Sequence, residues 1–296
     1  MSVEEFDDKV LIVNGSSSVT ILKFGASIIS WKLNNEERLW LSSGAKLDGS
    51  KAVRGGIPLV FPIFGKQKDE KHPTFKLAQH GFARNSTWEF LGQTSESPIT
   101  IQFGLGPENL NKETQEIWPY DFTLIYSVSL HEDKLVTQIE VENTGTQAFE
   151  FNWLFHTYYK IPDITDTLVN NLVDQQCFDQ LVNQQYVEKA PVISFHEEFD
   201  RVYKNVNQDK ILQIVDKGKV LYNLKRTNLP DSVVWNPWIK KSEGMADFEP
   251  KDGYLNMLCV EPGHVNSMIL LNSKDKWNAS QEISTGGEIK VQANIY

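Results

Sequence analysis

Apolar and polar residues alternate along much of the chain with a period of two. Residues 122–130 (FTLIYSVSL) alternate without a break, a polar turn follows at 131–134 (HEDK), and residues 135–142 resume the alternation before the turn residues 143–146 (NTGT). Such alternation is typical of half-buried strands, so the two segments predict neighbouring strands of an antiparallel meander. Their shared apolar face consists of Phe122, Leu124, Tyr126, Val128, Leu130, Leu135, Ile139 and Val141.

The same pattern returns in other parts of the chain. Residues 18–24 and 27–33 flank a glycine, and residues 210–215 and 219–224 flank an Asp-Lys-Gly turn. These pairs predict further antiparallel strands. A Gly-Gly pair near the C-terminus precedes a predicted last strand, whose apolar side holds Ile289, Val291 and Ile295.

Helical signals are few. Residues 107–118 (PENLNKETQEIW) predict one short helix with Pro107 at its start. Strands and helices do not alternate along the chain, which argues against a parallel, doubly wound sheet. We therefore expect an all-β fold, in which residues 1–296 form one large antiparallel β-sandwich domain with a few short helices.

The charge balance narrows the possible partners. The chain has 296 residues, with 29 Lys and Arg against 39 Asp and Glu, and its formal net charge is −10. This disfavours nucleic acid, because a phosphate backbone is bound by a basic surface. A small phosphorylated ligand needs only a few local cations. No apolar stretch is long enough for a membrane helix, so no membrane partner is expected.

The N-terminus and the cysteines bear on location. The sequence MSVEEFDDKV is acidic where a secretory signal would carry positive charge before an apolar run. Cys177 and Cys259 are too few for a disulfide framework, and we expect both to be buried by packing. These features predict a reducing, cytoplasmic location and do not exclude the nucleus.

Two glycine-containing segments carry arginine where the alternation stops. Residues 53–62 (VRGGIPLVFP) begin with Arg54 beside two glycines, and residues 79–85 (QHGFARN) bring an amide, an imidazole and the Arg84 guanidinium together. A guanidinium presents a planar fork of donors that suits phosphate or carboxylate. The segments therefore form a candidate anion site. The alternatives are a tight turn with a surface arginine, or pairing of either arginine with one of the many acids.

A histidine and a glutamate are candidates for proton transfer. In residues 149–159 (FEFNWLFHTYY), alternate aromatic residues share one face, so His156 points to the opposite face, toward solvent or a ligand groove. Residues 257–264 (MLCVEPGH) predict Glu261 at the end of an apolar strand, before a Pro-Gly turn. Partial desolvation there would raise its pKa and make it a better base. The alternatives are a structural histidine and a solvent-exposed turn glutamate.

The remaining motifs are weak or absent. Trp235 and Trp238 flank an Asn-Pro pair, and they either stack on a sugar ring or fill the core. The sequence has no P-loop, no zinc-protease motif and no nucleophile elbow, and no Cys/His cluster has the spacing of a zinc site. We therefore expect no cofactor and no metal.

Taken in order, these segments resemble the fungal glucose-6-phosphate 1-epimerases, also called hexose-6-phosphate mutarotases, of the aldose 1-epimerase (galactose mutarotase-like) superfamily. The resemblance covers nearly the whole chain, and the ordered set is specific although each motif alone is weak. It implies a large, mainly antiparallel β-sandwich, a monomer, and cofactor-independent interconversion of the anomers of hexose 6-phosphates, glucose 6-phosphate first. The segments that carry it are residues 46–65, 79–94, 151–159, 229–250 and 259–264.

The resemblance also implies a role for each matched position. His156 matches the family's catalytic histidine and Glu261 its catalytic glutamate. Ring opening needs a base and an acid, and we expect Glu261 to be the base and protonated His156 the acid. Five further positions match contacts to the substrate. Arg54, Gln79 and Arg84 match contacts to the substrate and its phosphate. His80 matches a histidine near the sugar ring, and Asp200, in the stretch EEFDRVY, matches an aspartate that binds sugar hydroxyls.

Two other functions stay open. A free-aldose mutarotase of the galactose type would lose little activity on unphosphorylated sugar when Arg54 or Arg84 is replaced by alanine. A noncatalytic protein that binds or senses sugar phosphates would bind its ligand without accelerating anomer exchange, even with His156 and Glu261 in place.

Overall fold

The computed structural model describes residues 2–289, and strands make up most of their regular structure. Of the predicted last strand with Ile289, Val291 and Ile295, only Ile289 belongs to the described residues, and it is not in a strand. In chain order, the strands are β1 (Ser2–Glu5), β2 (Lys9–Asn14), β3 (Ser17–Leu22), β4 (Ile28–Leu33), β5 (Glu36–Glu37), β6 (Leu59–Val60), β7 (Glu89–Glu96), β8 (Ile99–Leu105), β9 (Phe122–Leu130), β10 (Lys134–Asn143), β11 (Phe149–Phe155), β12 (Tyr158–Lys160), β13 (Thr167–Asn170), β14 (Gln176–Asp179), β15 (Gln184–Val187), β16 (Val192–Ile193), β17 (Phe199–Lys204), β18 (Leu212–Asp216), β19 (Lys219–Thr227), β20 (Asp231–Asn236), β21 (Met257–Leu271) and β22 (Lys276–Thr285).

The helices of the described residues are short. Two are α-helices, α1 (Lys112–Ile117) and α2 (Trp238–Gly244), and three are single stretches of 3-10 helix at Ala83–Asn85, Pro107–Asn109 and Lys251–Asn256. Within residues 2–289, we find no helix with the length and apolar character needed to cross a membrane.

The prediction of one helix over residues 107–118 is wrong, because the chain forms two separate short helices there. A 3-10 turn ends at Asn109, and α1 starts anew after Asn111. The side-chain oxygen of Asn111 accepts a hydrogen bond from the backbone N–H of Thr114 at 2.8 Å, while Asn111 itself is extended. Asparagine is a favoured N-cap residue, and this cap restarts the helix.

The strands form three antiparallel sheets. A five-stranded sheet has the order β1-β2-β3-β4-β5, and a nine-stranded sheet has the order β16-β13-β18-β19-β22-β10-β9-β8-β7. An eight-stranded sheet has the order β15-β14-β17-β20-β21-β11-β6, with β12 paired to β21. The pairs β9–β10, β3–β4 and β18–β19 are antiparallel neighbours, which confirms the meander and the two other predicted strand pairs.

The nine-stranded and eight-stranded sheets pack on one hydrophobic core. Ring centroids of Phe155 in β11 and Tyr126 in β9 are 6.3 Å apart, and those of Phe151 in β11 and Trp277 in β22 are 5.4 Å apart. The apolar faces predicted for β9 and β10 are buried in this core. The predicted antiparallel β-sandwich is therefore confirmed. That residues 1–296 form one domain stays a prediction.

Candidate active site

Strand register places several candidate residues on one face of the eight-stranded sheet. Val234 of β20 belongs to the main core, so its neighbours along the strand point to the opposite, outer face. In the antiparallel register, Glu261 of β21 lies opposite Val233, and Asp200 of β17 lies opposite Trp235. Residues directly opposite each other share a face. Asp200, Trp235 and Glu261 therefore all lie on the outer face.

The predicted strand end at Glu261 is wrong. The Pro262–Gly263 pair makes no turn, since β21 continues from Met257 to Leu271 with Glu261 in its interior. The fixed φ of proline is compatible with an extended chain. At Gly263, a Cβ atom would lie 2.9 Å from the carbonyl oxygen of Trp153, so glycine allows the neighbouring strand to approach closely. Glu261 is consequently only 1% exposed.

His156 follows directly after β11. The aromatic residues of β11 fill the core, and His156 reaches the outer face, as the alternation predicts. Its backbone N–H donates to the carbonyl oxygen of Pro58 at 3.0 Å. Its ring stacks on Tyr158, with centroids 4.8 Å apart, and meets Trp235 edge to face at 5.9 Å. These contacts fix both the backbone and the ring of a side chain that is 9% exposed.

A close backbone approach joins the two arginine-containing segments. Gly81 has a φ of +72°, and a Cβ atom there would lie 2.1 Å from the carbonyl oxygen of Phe61. The N–H of Phe82 donates to the same oxygen at 2.9 Å. Only glycine accommodates this conformation and this contact without strain. This contact holds residues 79–85 against residues 53–62. The two arginine-containing segments therefore lie together, as the candidate anion site requires.

These elements surround a pocket of about 380 Å³, a size typical of small-ligand sites. Trp235 lines it, whereas Trp238 packs against Tyr254 with ring centroids 5.3 Å apart and does not. The seven candidate residues all line this pocket: Arg54, Gln79, His80, Arg84, His156, Asp200 and Glu261.

Three polar residues of the pocket or its support were not found from the sequence: Gln180 and Lys241 line the pocket, and Asp247 holds Arg54. Tyr158, which was noted only as a neighbour of His156, also holds Arg54. Lys241 and Asp247 fall within residues 229–250, and their only signal was the resemblance of that segment. Gln180 follows β14 and had no signal, because its place beside Asp200 is set by the pairing of β14 with β17.

The two arginines differ in their partners. Arg54 Nε donates to Asp247 Oδ1 at 3.3 Å, and Nη1 lies 3.3 Å from the Tyr158 hydroxyl. Arg84 Nη2 donates to the carbonyl oxygen of Gln79 at 2.9 Å, and its Nε is buried without a hydrogen-bond partner. Among residues 2–289, Arg84 forms no ion pair with a carboxylate. Burial lowers the pKa of Arg84 to about 10, so it remains charged at neutral pH.

His80 is a neutral hydrogen-bond donor. Its Nδ1 accepts a hydrogen bond from the N–H of Gly65 at 3.1 Å, so the proton of the neutral ring is on Nε2. Burial, together with the charges of Arg84 and Arg54, lowers the pKa of His80 to about 3. The ring meets that of His156 edge to face at 5.9 Å. His80 therefore offers an N–H beside the histidine that is proposed to transfer protons.

His156 and Glu261 form a buried pair, with 3.4 Å between Nδ1 and Oε1. Burial lowers the pKa of His156 well below its usual value, and His80 and the arginines act in the same direction. Burial raises the pKa of Glu261 well above its usual value, and Asp200 adds to this effect. The predicted direction for Glu261 is confirmed, and its cause is full burial. Both shifts are toward the uncharged form of each group, because burial disfavours charge on either side chain.

Asp200 is an acceptor at the edge of the same pocket. Gln180 Nε2 donates to its Oδ1 at 2.6 Å. Burial raises the pKa of Asp200 to about 6. At neutral pH its carboxylate can therefore accept hydrogen bonds from hydroxyl groups.

Similar proteins carry the same fold. Residues 8–284 match the aldose 1-epimerase family model. A Cenchrus ciliaris protein named "Putative glucose-6-phosphate 1-epimerase" is 34% identical over 272 residues, which cover 89% of this chain and 80% of that protein. An Escherichia coli K12 protein of the same name is 29% identical and covers 88% of this chain and 84% of that protein. The crystal structure of a "putative mutarotase" from Salmonella typhimurium has a TM-score of 0.82 at 26% identity and covers 96% of this chain and 93% of its own. The chain belongs to the aldose 1-epimerase family.

Proposed function

We propose that this protein interconverts the α and β anomers of hexose 6-phosphates, glucose 6-phosphate first, as a monomer and without a cofactor. One observation carries the proposal: a single pocket holds the His156–Glu261 pair and Arg84, a charged arginine without a carboxylate partner among the described residues. The pair supplies groups for proton transfer, and the guanidinium supplies a phosphate contact. The names of the relatives, which refer to glucose-6-phosphate 1-epimerase, support the same reaction.

Anomer exchange needs a base and an acid at the two oxygens of the anomeric carbon. Opening the ring takes a proton from the C1 hydroxyl and gives a proton to the ring oxygen. The Glu261 carboxylate takes the first proton, and protonated His156 gives the second. The group at C1 then turns about the C1–C2 bond, and the roles reverse on closure. Each positioned proton transfer contributes roughly 10²–10⁴-fold to the rate.

The proton count of the pair suits this reaction. A neutral imidazole with a protonated carboxyl group holds as many protons as an imidazolium with a carboxylate. Nδ1 of His156 and Oε1 of Glu261 are 3.4 Å apart, so once the two groups are aligned, one proton shift within the pair produces the reactive form.

Arg84 is the main phosphate contact in this proposal. Arg54 already forms an ion pair with Asp247 and is therefore less available than Arg84 to a phosphate. Lys241, which pairs with Glu198 at 3.3 Å, is a second cation on the pocket wall. An unphosphorylated sugar leaves Arg84 charged and unpaired, and this penalty adds to specificity. A phosphate held at a distance from C1 also keeps the anomeric centre in register with the acid and base.

The remaining polar groups suit the sugar hydroxyls. The Asp200 carboxylate accepts hydrogen bonds, and the Gln79 amide and the Nε2–H of His80 complete the set on the facing wall. Trp235 gives the pocket an apolar surface for the C–H groups of a sugar ring. Few polar groups on a partly apolar wall are typical of a small-ligand site.

The test is anomer exchange measured by saturation-transfer NMR on glucose 6-phosphate, with free glucose and galactose as parallel substrates. The wild type is compared with His156→Ala and Glu261→Gln. We expect fast exchange on the phosphorylated sugar alone and its loss in both variants.

Two results would overturn parts of this proposal. Equal or faster exchange on the free sugars indicates a galactose-type mutarotase and removes the proposed role of Arg84. Binding of glucose 6-phosphate without accelerated exchange in the wild type indicates a sensing protein and excludes the acid–base mechanism.

A further inference from the structure

A third side chain with a metal-binding atom lies beside the His156–Glu261 pair. Cys259 precedes Glu261 by two residues in β21 and therefore shares its face of the sheet. The ligand atoms of His156, Cys259 and Glu261 all lie within 4.8 Å of one another. Cys259 is a free thiol and is fully buried, whereas the other two side chains line the pocket. The thiol thus lies beneath the pocket, and an ion could reach the group through the pocket itself.

Two atoms of this group have no hydrogen-bond partner. They are Oε2 of Glu261 and Nδ1 of His156, which lies 3.4 Å from Oε1 of Glu261 without forming a hydrogen bond, and both are buried. The residues are 9% and 1% exposed. Buried polar groups in folded proteins are nearly always paired, so each unpaired atom needs an explanation. Lone pairs of nitrogen and oxygen that converge next to a thiol are the donor set of a transition metal ion.

The spacing suits zinc. Zinc lies about 2.0–2.2 Å from nitrogen and oxygen ligands in a tetrahedral arrangement, which places two such ligands about 3.3 Å apart. The distance from His156 Nδ1 to Glu261 Oε1 is 3.4 Å. A sulfur and a nitrogen on one tetrahedral zinc ion lie about 3.6 Å apart. The three ligand atoms here lie within 4.8 Å of one another, so the thiol needs to move by about 1 Å at most. Three protein ligands leave the fourth position open toward the pocket.

We propose that His156, Cys259 and Glu261 bind Zn²⁺ and that the bound ion inhibits the enzyme. The ion occupies the imidazole and the carboxylate to which the proposed function assigns the proton transfers. The inhibitory part rests on that function, whereas the binding part does not. Sequence spacing gave no sign of this site, because the fold brings His156 to residues more than one hundred positions away.

Cobalt is the probe for the binding part. The reduced, metal-free full-length protein is titrated with Co²⁺ in a phosphate-free buffer, and the near-ultraviolet absorption of a cobalt–thiolate bond is recorded. We expect this absorption in the wild type and in Cys177→Ala, the matched control at the other buried cysteine, and its displacement by Zn²⁺. We expect none in Cys259→Ala or in the nearly isosteric Cys259→Ser. Absence of the absorption in the wild type, or its persistence in both Cys259 variants, overturns the proposal.

Inhibition is measured separately on glucose 6-phosphate exchange. We expect Zn²⁺ to inhibit the wild type and Cys177→Ala, and its potency to fall at least about tenfold in Cys259→Ser, as loss of a metal-supporting group commonly does. Exchange without zinc should be unchanged in that variant. Undiminished zinc potency in a folded Cys259→Ser protein contradicts the proposed ligand set. If the wild type shows no exchange but gives the cobalt–thiolate absorption, the binding part stands and the proposed function fails.

Discussion

Arg54 and Asp247 form an ion pair across the pocket wall, with 3.3 Å between Nε and Oδ1, although they are 193 positions apart in the chain. Lys51 shares the same carboxylate, with Nζ 2.8 Å from Oδ2. One carboxylate thus offsets one of the two positive charges at this end of the pocket. Arg84, without such a partner among the described residues, is left as the cation available to an anionic ligand.

Replacing Asp247 by asparagine should destabilise the protein. The change keeps the size of the side chain but leaves Arg54 and Lys51 without their carboxylate. Hydrogen bonds to charged groups contribute about 1.5–3 kcal/mol, and the partial exposure of both cations reduces this, so we expect a loss of about 1–2 kcal/mol. Urea unfolding measures it. Glu249→Gln, which breaks an exposed pair with Lys251, is the control and should cost less than about 1 kcal/mol.

Replacing Arg84 by glutamine should weaken the binding of hexose 6-phosphates. Loss of a charge-assisted contact worth about 1.5–3 kcal/mol corresponds to a fall of roughly 10–100-fold in kcat/KM. The change should appear mainly in KM, because Arg84 acts at the phosphate and not at C1. Exchange NMR at a series of substrate concentrations gives both constants. Arg38→Gln, which removes a guanidinium paired with Glu36 outside the pocket, is the control. Equal effects of the two changes on KM would exclude a phosphate contact at Arg84.

The β-sandwich could be predicted because the pattern that indicates its strands lies in short stretches of the sequence. In β9 and β10 each core residue is followed by a more exposed one, and this alternation is visible without any knowledge of tertiary contacts. Local information also misled. Pro262–Gly263 has the composition of a turn, yet β21 passes straight through it, because both neighbouring strands pair with the chain there. Tertiary pairing overrode the local preference.

The pocket was predictable only in part, for the same reason. Candidate residues such as His156 and Arg84 lie in segments whose resemblance to a family marked them. Asp247 as the partner of Arg54, and Gln180 as the partner of Asp200, depend on which strands and loops meet in space. Neither pair leaves a pattern along the chain. That Arg84 forms no ion pair with a carboxylate among the described residues is likewise a property of the fold alone.

Activity on hexose 6-phosphates should decline below pH 6 through KM. Burial raises the pKa of Asp200 to about 6, so its carboxylate, which accepts sugar hydroxyls, is lost as the pH falls through that value. We expect KM to rise between pH 7 and 5 in the wild type. In Asp200→Asn, KM should be higher at pH 7 and should rise less over this range, and the rise that remains is due to protonation of the substrate phosphate, whose second pKa is about 6. If KM rises as steeply with falling pH in Asp200→Asn as in the wild type, a group other than Asp200 causes the pH dependence.

The same shift has an effect of opposite sign on stability. Because the pKa of Asp200 is higher in the folded protein than in the unfolded chain, ionisation favours the unfolded state as the pH rises from 4 through 6. The free energy of unfolding of Asp200→Asn, relative to the wild type, should therefore be greater at pH 7 than at pH 4. Urea unfolding at the two pH values measures the difference. A relative stability that does not change with pH would place the carboxylate in a more solvated environment than its burial indicates.

Replacing Gly81 by alanine should disrupt the fold at the pocket. The left-handed φ costs about 1–2 kcal/mol for a residue with a Cβ atom, and overpacking against the carbonyl oxygen of Phe61, 2.1 Å from that atom, adds about 1–3 kcal/mol. Gly218 is the matched control, since its φ of +76° is similar but no atom lies within 4 Å of its Cβ position. Gly218→Ala should cost only the strain of the left-handed φ, about 1–2 kcal/mol.

Guanidinium unfolding of both variants measures the difference in stability. The KM for glucose 6-phosphate should rise in Gly81→Ala alone, because His80 and Arg84 depend on the contact between Gly81 and Phe61 for their positions. Equal losses of stability and equal KM values in the two variants would show that the approach of the two segments does not hold the pocket together.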